Sequence, residues 1–430
     1  MTVIIAGAGI GGLALALSLH QAGIPAVVFE SVAALQPLGV GINLLPHAVR
    51  ELTELGLHDG LAATAIATEE LAYHSKRGQP IWREPRGLAA GYRWPQFSIH
   101  RGVLQMILLE AARARLGADA IRLGRHLAAW EQDGDGVTAH FTDRRTGAAV
   151  ETARGSLLVG ADGIHSALRA RLYPDEGPPL WNGAILWRGV TEAAPFLTGR
   201  SMIMAGHEFQ KFVAYPISRP ALEQGRAVIN WIAERKFRPD HAWRREDWNR
   251  AGRLEEFLPQ FESWRFDWLD VPGLIRGARE VYEYPMVDRD PLPRWSHGRL
   301  TLLGDAAHPM YPIGSNGASQ AVLDGRVLAR AVREDGATPA ALAAYEAERN
   351  PATARIVQAN RGNGPEQVMQ LVEQRAPEGF TAIGDVLSAE ELEGAAAAYK
   401  RLAGFDRDAL HARPPILAPT PAPTRAADAD

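Results

Sequence analysis

The hydrophobic pattern of the chain changes period twice within its first thirty residues. Thr2 to Ala6 is a short β-rich run, Gly7 to Gly12 is a glycine cluster, and Leu13 to Gln21 is a helix-forming stretch that stops at Gly23. Ile24 to Glu30 is a second apolar run and ends on an acid 18 residues after Gly12. Strand, tight loop, helix and strand at these lengths predict a βαβ unit.

Two later apolar runs also lead into acids. Ser156 to Val159 runs into Gly160-Ala161-Asp162-Gly163, with Ser166 and Arg169 close behind, and Arg299 to Leu303 runs into Gly304-Asp305-Ala306-Ala307-His308-Pro309. After the second, Met310 to Gly314 forms a loop, and Ser315 or Asn316 is suited to N-cap a helix reaching to about Val332. Met202 to Ile203, Phe212 to Ile217, Ala227 to Ile232 and Val281 to Tyr284 read as short strands. Ser388-Ala389-Glu390-Glu391 is a capping box that opens a helix running to about Leu402. Pro414 to Asp430 is a Pro/Ala/Thr tail expected to be disordered. No repeat at a fixed period is visible.

The motif strands lie in different thirds of the chain, so their domain must be discontinuous. The expectation is an α/β fold: a Rossmann-like dinucleotide domain from residues 1–70, 97–170 and 290–365, an inserted β-rich substrate domain from 71–96 and 172–289, and a helical C-terminal region over 366–413.

Composition narrows the chemistry. With 46% hydrophobic and 22% charged residues the chain reads as a soluble globular protein, and a net charge of -4 gives no overall pull toward nucleic acid or an anionic membrane. The apolar start has no Lys or Arg before Arg50 and is interrupted by glycines, so it reads as neither leader nor membrane span, and the expected location is the cytoplasm. Cys 0 excludes disulfides, thiolate nucleophiles and iron–sulfur clusters, and no metal site is expected. No H-E-x-x-H, G-x-S-x-G or P-loop lysine is present. Redox chemistry must therefore come from a borrowed cofactor.

The glycine spacing has physical reasons. Gly7 permits the turn, Gly9 lets the backbone approach a pyrophosphate, Gly12 lets helix pack on strand, and the helix N-terminus offers N–H donors. Glu30 is placed to accept from an adenosine ribose, while Asp162 and Asp305 end strands where α/β sheets bind ligands and can hold ribose or ribityl hydroxyls. The first motif alone does not separate NAD from FAD.

In this order and at these separations, the three motifs resemble the single-component FAD-dependent aromatic hydroxylases of the para-hydroxybenzoate hydroxylase fold group, over residues 1 to about 360. Three segments, Ser98 to Gln105, Trp187 to Glu192 and Tyr284 to Pro291, look most like the phenazine-carboxylate flavin monooxygenases of pyocyanin biosynthesis. The resemblance implies non-covalent FAD, NADH or NADPH as a transient reductant, and O₂ as co-substrate, inserted through a flavin C4a-hydroperoxide. It carries over Gly7, Gly9, Gly12, Glu30, Arg101, Asp162, Asp305, Gly314 and Asn316 as FAD positions.

The implied substrate is a small aromatic or N-heteroaromatic acid, hydroxylated with or without decarboxylation. A single-ring phenol or salicylate is the alternative, and a non-catalytic flavin-binding protein is the alternative from another class. A halogenase is disfavoured because Asn230-Trp231-Ile232-Ala233 is not its W-x-W-x-I-P signature. Trp187, Arg188, Met202, Tyr215, Trp231 and Pro312 are substrate-wall candidates, with core packing the competing role for each Trp and a structural salt bridge for Arg188. The flavin carries the chemistry, so catalytic candidates are limited to Pro312, Tyr215 and His308, the last also readable as a buried support behind Asp305. Monomer and homodimer both remain open.

Overall fold

In a computed structural model, which describes residues 2–238 and 250–417, the first βαβ unit forms as strand Val3–Ala6, helix Ile10–Gln21 and strand Ala26–Glu30. Those strands lie inside a five-stranded parallel sheet with Leu157–Gly160 and Leu300–Leu302 on one side and Ile121–Leu123 on the other. The three acid-ended strands are therefore adjacent, or one strand apart, and present their carboxyl ends together. Helix Gly317–Asp335 packs against Ile10–Gln21 on the sheet. An antiparallel meander, His126–Gln132, Val137–Thr142 and Ala149–Gly155, is tied to the sheet by the stacked rings of Phe29 and Phe141, 4.0 Å apart.

The second unit is an eight-stranded sheet. Its order is Arg250–Ala251, Val281–Asp288, Leu180–Ala193, Ala227–Lys236, Gln210–Pro216, Ser201–His207, Glu70–His74 and Pro80–Pro85. A three-stranded sheet of Gly41–Leu44, Gln96–His100 and Ile66–Thr68 lies between the two units in sequence. The expected α/β architecture with a β-rich addition and C-terminal helices is what the chain adopts. The capping box forms, with the Ser388 side chain accepting from the Glu391 N–H and the Glu391 carboxylate from the Ser388 N–H, at the start of helix Ala389–Leu402.

Side-chain direction alternates along a strand, so each strand of the large sheet divides its residues between two faces. One face is an aromatic core: Trp187, Phe212 and Trp231 pack with Phe257 and Phe261 from helix Leu254–Phe261, and Trp187 stacks on Phe257 at 4.7 Å. Trp231 is fully buried and donates its indole N–H to the Thr191 hydroxyl at 3.0 Å. Trp187 donates to the Glu283 carboxylate at 2.9 Å. Both Trp residues thus take the competing core role and neither lines the cavity, which removes them from the substrate-wall candidates.

The tail also needs a correction. Ile416 and Leu417 are buried in the core of the first unit, and the Leu417 carbonyl accepts from the buried Arg326 guanidinium at 3.3 Å. The Leu410 carbonyl likewise accepts from Arg50 at 3.2 Å. Two apolar side chains and a donor of the buried Arg326 hold the start of the tail, whose composition alone suggested disorder. The rest of the expected tail, 418–430, lies outside the described residues.

Trp231→Ala should destabilise the protein by about 3–5 kcal/mol in urea unfolding and leave FAD affinity within about threefold of wild type. A small stability loss with a large loss of ligand binding would return Trp231 to the cavity wall.

Candidate active site

The site is built where the carboxyl ends of the parallel strands meet the large sheet. A cavity of ≈ 360 Å³ opens there, lined from the first unit by Gly9, Ile10, Gly11, Ala161, Gly163, Leu303, Gly304 and Asp305. Gly7 takes φ +112°, and a Cβ on it would sit 2.3 Å from the Ala161 carbonyl. A Cβ on Gly12 would sit 2.0 Å from the Gly7 carbonyl, so helix and loop approach as closely as only glycine permits. Gly9 differs, because a Cβ there would meet nothing within 4 Å of protein. Its bare backbone serves whatever fills the cavity.

The acids divide by role. Glu30 braces the loop itself, accepting from the Ala8 N–H at 2.8 Å and from the Ser31 hydroxyl and Val32 N–H at 3.0 Å. Asp162 accepts from the Ala167 N–H at 2.8 Å with one oxygen, and its other oxygen is buried without a partner. Burial pushes the Asp162 carboxyl above the usual carboxylate range, against the hydrogen bonds it accepts. Asp305 is exposed at the cavity. Arg101, the first residue of helix Arg101–Leu116, lines the cavity, and Gln105 one turn on donates to the Ala8 carbonyl at 2.8 Å and steadies the glycine loop.

On the far side, Pro312, Ile313, Ser315 and Asn316 line the cavity. Asn316 holds the N-cap position of helix Gly317–Asp335, but its side chain makes no capping bond. Its Oδ1 accepts from Gln320 at 3.0 Å and its Nδ2 is buried without a partner. Gly314 has φ +69° and abuts Tyr399, where a Cβ would fall 2.2 Å from the hydroxyl. That glycine is demanded by the turn and by Tyr399, and it lies behind the cavity wall. His308 is also outside it: buried, it pairs its Nε2 with Asp324 at 2.6 Å, while Asp324 also accepts from Arg349 at 2.7 Å. His308 is a buried hydrogen-bond partner of Asp324 outside the cavity, which corrects its candidacy as a proton relay.

The second face of the large sheet supplies the remaining wall. Arg188, Met202 and Tyr215 lie on it, with Leu186, Met204, Lys211, Val213, Ile232, Glu234 and Met286. Arg188 donates to the Gly41 carbonyl at 2.8 Å and hydrogen-bonds the Tyr215 hydroxyl, which donates to the same carbonyl at 2.9 Å. Burial pushes the Tyr215 hydroxyl up to about 12, against the pull of Arg188, so it stays protonated. Burial also lowers Arg188 from the usual guanidinium value. Its electrostatic neighbours are the Tyr215 and Tyr284 hydroxyls and the Arg101 cation, with no carboxylate among them. The Nε of Arg188 is buried and unpartnered. The structural salt bridge that would explain this arginine is absent among the described residues.

Residues 1–245 and 280–360 match the model of an FAD binding domain family. The phenazine 1,6-dicarboxylic acid hydroxylase PhzS of Lysobacter antibioticus is 50% identical over 361 residues, covering 84% of this chain and 89% of the relative. A 3-amino-4-hydroxybenzoate 2-monooxygenase of Streptomyces platensis, PtnB3, is 34% identical over 85% of this chain and 88% of its own. The solved structure of Klebsiella pneumoniae HpxO with FAD and uric acid aligns with a TM-score of 0.73 at 25% identity, over 96% of this chain and 97% of that one. This chain belongs to the FAD-dependent aromatic hydroxylases.

For a hydroxylase of this family the cradle fits FAD. The side-chain-free Gly9 offers backbone to a pyrophosphate, and Asp305 stands at the cavity with its carboxylate available. Sequence reading missed Asn43, Lys211, Glu234 and Glu366, all on the cavity wall. Strand parity would have found two of them. Tyr215 pairs with Asn230 and Val213 with Ile232, so a wall containing Tyr215 also contains Lys211 and Glu234 and excludes Trp231.

Asp305→Ala should weaken FAD binding about ten- to a hundredfold, the roughly 1.5–3 kcal/mol of one charge-assisted hydrogen bond, with little change in the urea midpoint of the FAD-free protein. An unchanged FAD dissociation constant would make Asp305 structural.

Proposed function

We propose that this hydroxylase uses FAD, NAD(P)H and O₂ to hydroxylate a flat aromatic or N-heteroaromatic acid of the phenazine-carboxylate type, and that Arg188 holds the acid. The carrying observation is the guanidinium on the cavity wall with a buried, unpartnered Nε and no carboxylate beside it. A part-buried cation without a counterion is unfavourable, and an anionic substrate group supplies the missing charge. The relative from Lysobacter antibioticus is named for a phenazine dicarboxylic acid, and the Streptomyces platensis relative for an aminohydroxybenzoate. Both are aromatic acids.

Gly7, Gly9 and Gly12 would shape the loop for the pyrophosphate, with Glu30 and Asp162 toward the ribose side and Asp305 toward the ribityl chain. Gly314 would set the turn that carries Pro312 and Asn316 to the ring, and Arg101 would lie over the cofactor. When bound and reduced by NAD(P)H, the flavin supplies an oxygen atom from O₂ to an electron-rich ring carbon.

The chain's own residues bind, orient and exclude water. Leu186, Met204, Val213, Ile232 and Met286 give the ring a dry apolar bed between the polar ends of the cavity. Arg188 fixes which edge of the ring faces the flavin, and Tyr215, kept protonated, holds Arg188 in place through their shared contact with the Gly41 carbonyl. An acid so held brings its carboxyl-bearing carbon or a neighbour forward, which allows carbon dioxide to leave when the attacked carbon is the one that bears it. No second G-x-G-x-x-G unit follows in the chain, so the nicotinamide cofactor should visit transiently.

Phenazine-1-carboxylate should stimulate NADH or NADPH oxidation and yield a product containing labelled oxygen from ¹⁸O₂, with salicylate a weaker substrate. Arg188→Met should raise KM for the acid about tenfold or more, the loss expected for a charge-assisted contact, while FAD stays bound. If only a carboxyl-free phenol is turned over, and Arg188→Met leaves KM unchanged, the acid reading fails.

A further inference from the structure

At the end of the cavity away from Arg188, three ionisable side chains meet that the hydroxylation does not use. Lys211 pairs with Glu234 on the neighbouring strand at 3.0 Å and with Glu366, which enters from the short helix Gly364–Glu366 after the long C-terminal helix Pro339–Arg361. All three side chains are buried, and all three line the cavity. Burial works against the Lys211 charge, but the two carboxylates outweigh it and raise the lysine above its ordinary value. Burial raises Glu234. With every group ionised the cluster carries one net negative charge.

Its place on the sheet gives it a partner. Lys211 and Tyr215 are four residues apart on one strand, facing the same way, a separation of about 13 Å at ~3.3 Å per residue. The Arg188 guanidinium reaches the Tyr215 end, where both donate to the Gly41 carbonyl, from a strand position level with Ile232 and Val213. The cavity face is therefore an apolar bed with Arg188, a cation without a carboxylate partner, at one end and, with every group ionised, a net anionic cluster at the other. Three linearly fused rings carrying polar groups on both outer rings match that length and polarity.

We infer that Lys211, Glu234 and Glu366 read the substrate end remote from Arg188, selecting a hydrogen-bond donor there and rejecting a second ionised carboxylate. The lysine is already engaged by two carboxylates, so a third anion would face net repulsion at low dielectric. A hydroxyl or N–H would find an acceptor instead. This reading rests on the acid-on-Arg188 proposal and adds to it a preference for mono-acids with a distal donor, a different preference from the dicarboxylic acid in the name of the Lysobacter antibioticus relative.

The test is equilibrium binding to the FAD-loaded oxidised protein at pH 8, followed by flavin absorbance, with phenazine-1-carboxylate, 6-hydroxyphenazine-1-carboxylate and phenazine-1,6-dicarboxylate. The hydroxy acid should bind at least tenfold more tightly than the dicarboxylate. Glu366→Gln, which removes the net charge, should bring the two within threefold, and Glu234→Gln should do the same by an independent route. A dicarboxylate that binds wild type as tightly as the hydroxy acid, or a ratio unmoved by both variants, overturns the inference. If Arg188→Met weakens all three ligands while the ratio ignores the glutamates, only this inference fails. If Arg188→Met weakens none, the acid reading beneath it has failed.

Discussion

Withdrawing a guanidinium from water without a carboxylate beside it is unfavourable unless hydrogen bonds and a ligand compensate, and the cavity is organised around one such part-buried group, Arg188. Arg188 is held by the Gly41 carbonyl and the Tyr215 hydroxyl, and so by a strand of the three-stranded sheet and a strand of the large one. Those contacts fix its direction without neutralising its charge. The same carbonyl accepts from both donors, so the strand beginning at Gly41, the large sheet and the cavity wall are one mechanical unit. The Gly41 N–H in turn donates to the Asn230 side chain at 2.7 Å, a third tie to the large sheet.

The two faces of the large sheet show how a strand can serve stability and recognition at once. Along Leu180–Ala193, Trp187 enters the aromatic core while Arg188 enters the cavity, and along Ala227–Lys236, Trp231 and Ala233 face the core while Ile232 and Glu234 face the cavity. The dense packing of Trp187, Phe212, Trp231 and Phe257 makes a stiff plate. Polar groups mounted on its other side are then positioned by packing, as a site that must orient a flat ring requires.

The sequence showed the first unit well because its motifs are local. Gly7, Gly12, Asp162 and Asp305 each sit within a few residues of the strand that places them, and the capping box at Ser388 is local by nature. The second unit was harder, because there the decisive variable is strand register. Trp187 and Arg188 are adjacent in one strand and could not both face a ligand, yet without the register both had to be kept as candidates. Lys211 and Glu234 are cross-strand partners 23 residues apart, and Glu366 comes from a region without any motif. The buried Ile416 and Leu417 were hidden by the composition of the residues around them.

Arg188 stands on the cavity wall near a second guanidinium, Arg101, and without a carboxylate partner, and so awaits an anion. The direct measurement is a flavin-absorbance titration of the FAD-loaded protein with phenazine-1-carboxylate and with its carboxamide, which keeps the ring and the shape but removes the charge. The account predicts that the acid binds at least tenfold more tightly than the amide. Equal affinities would contradict it.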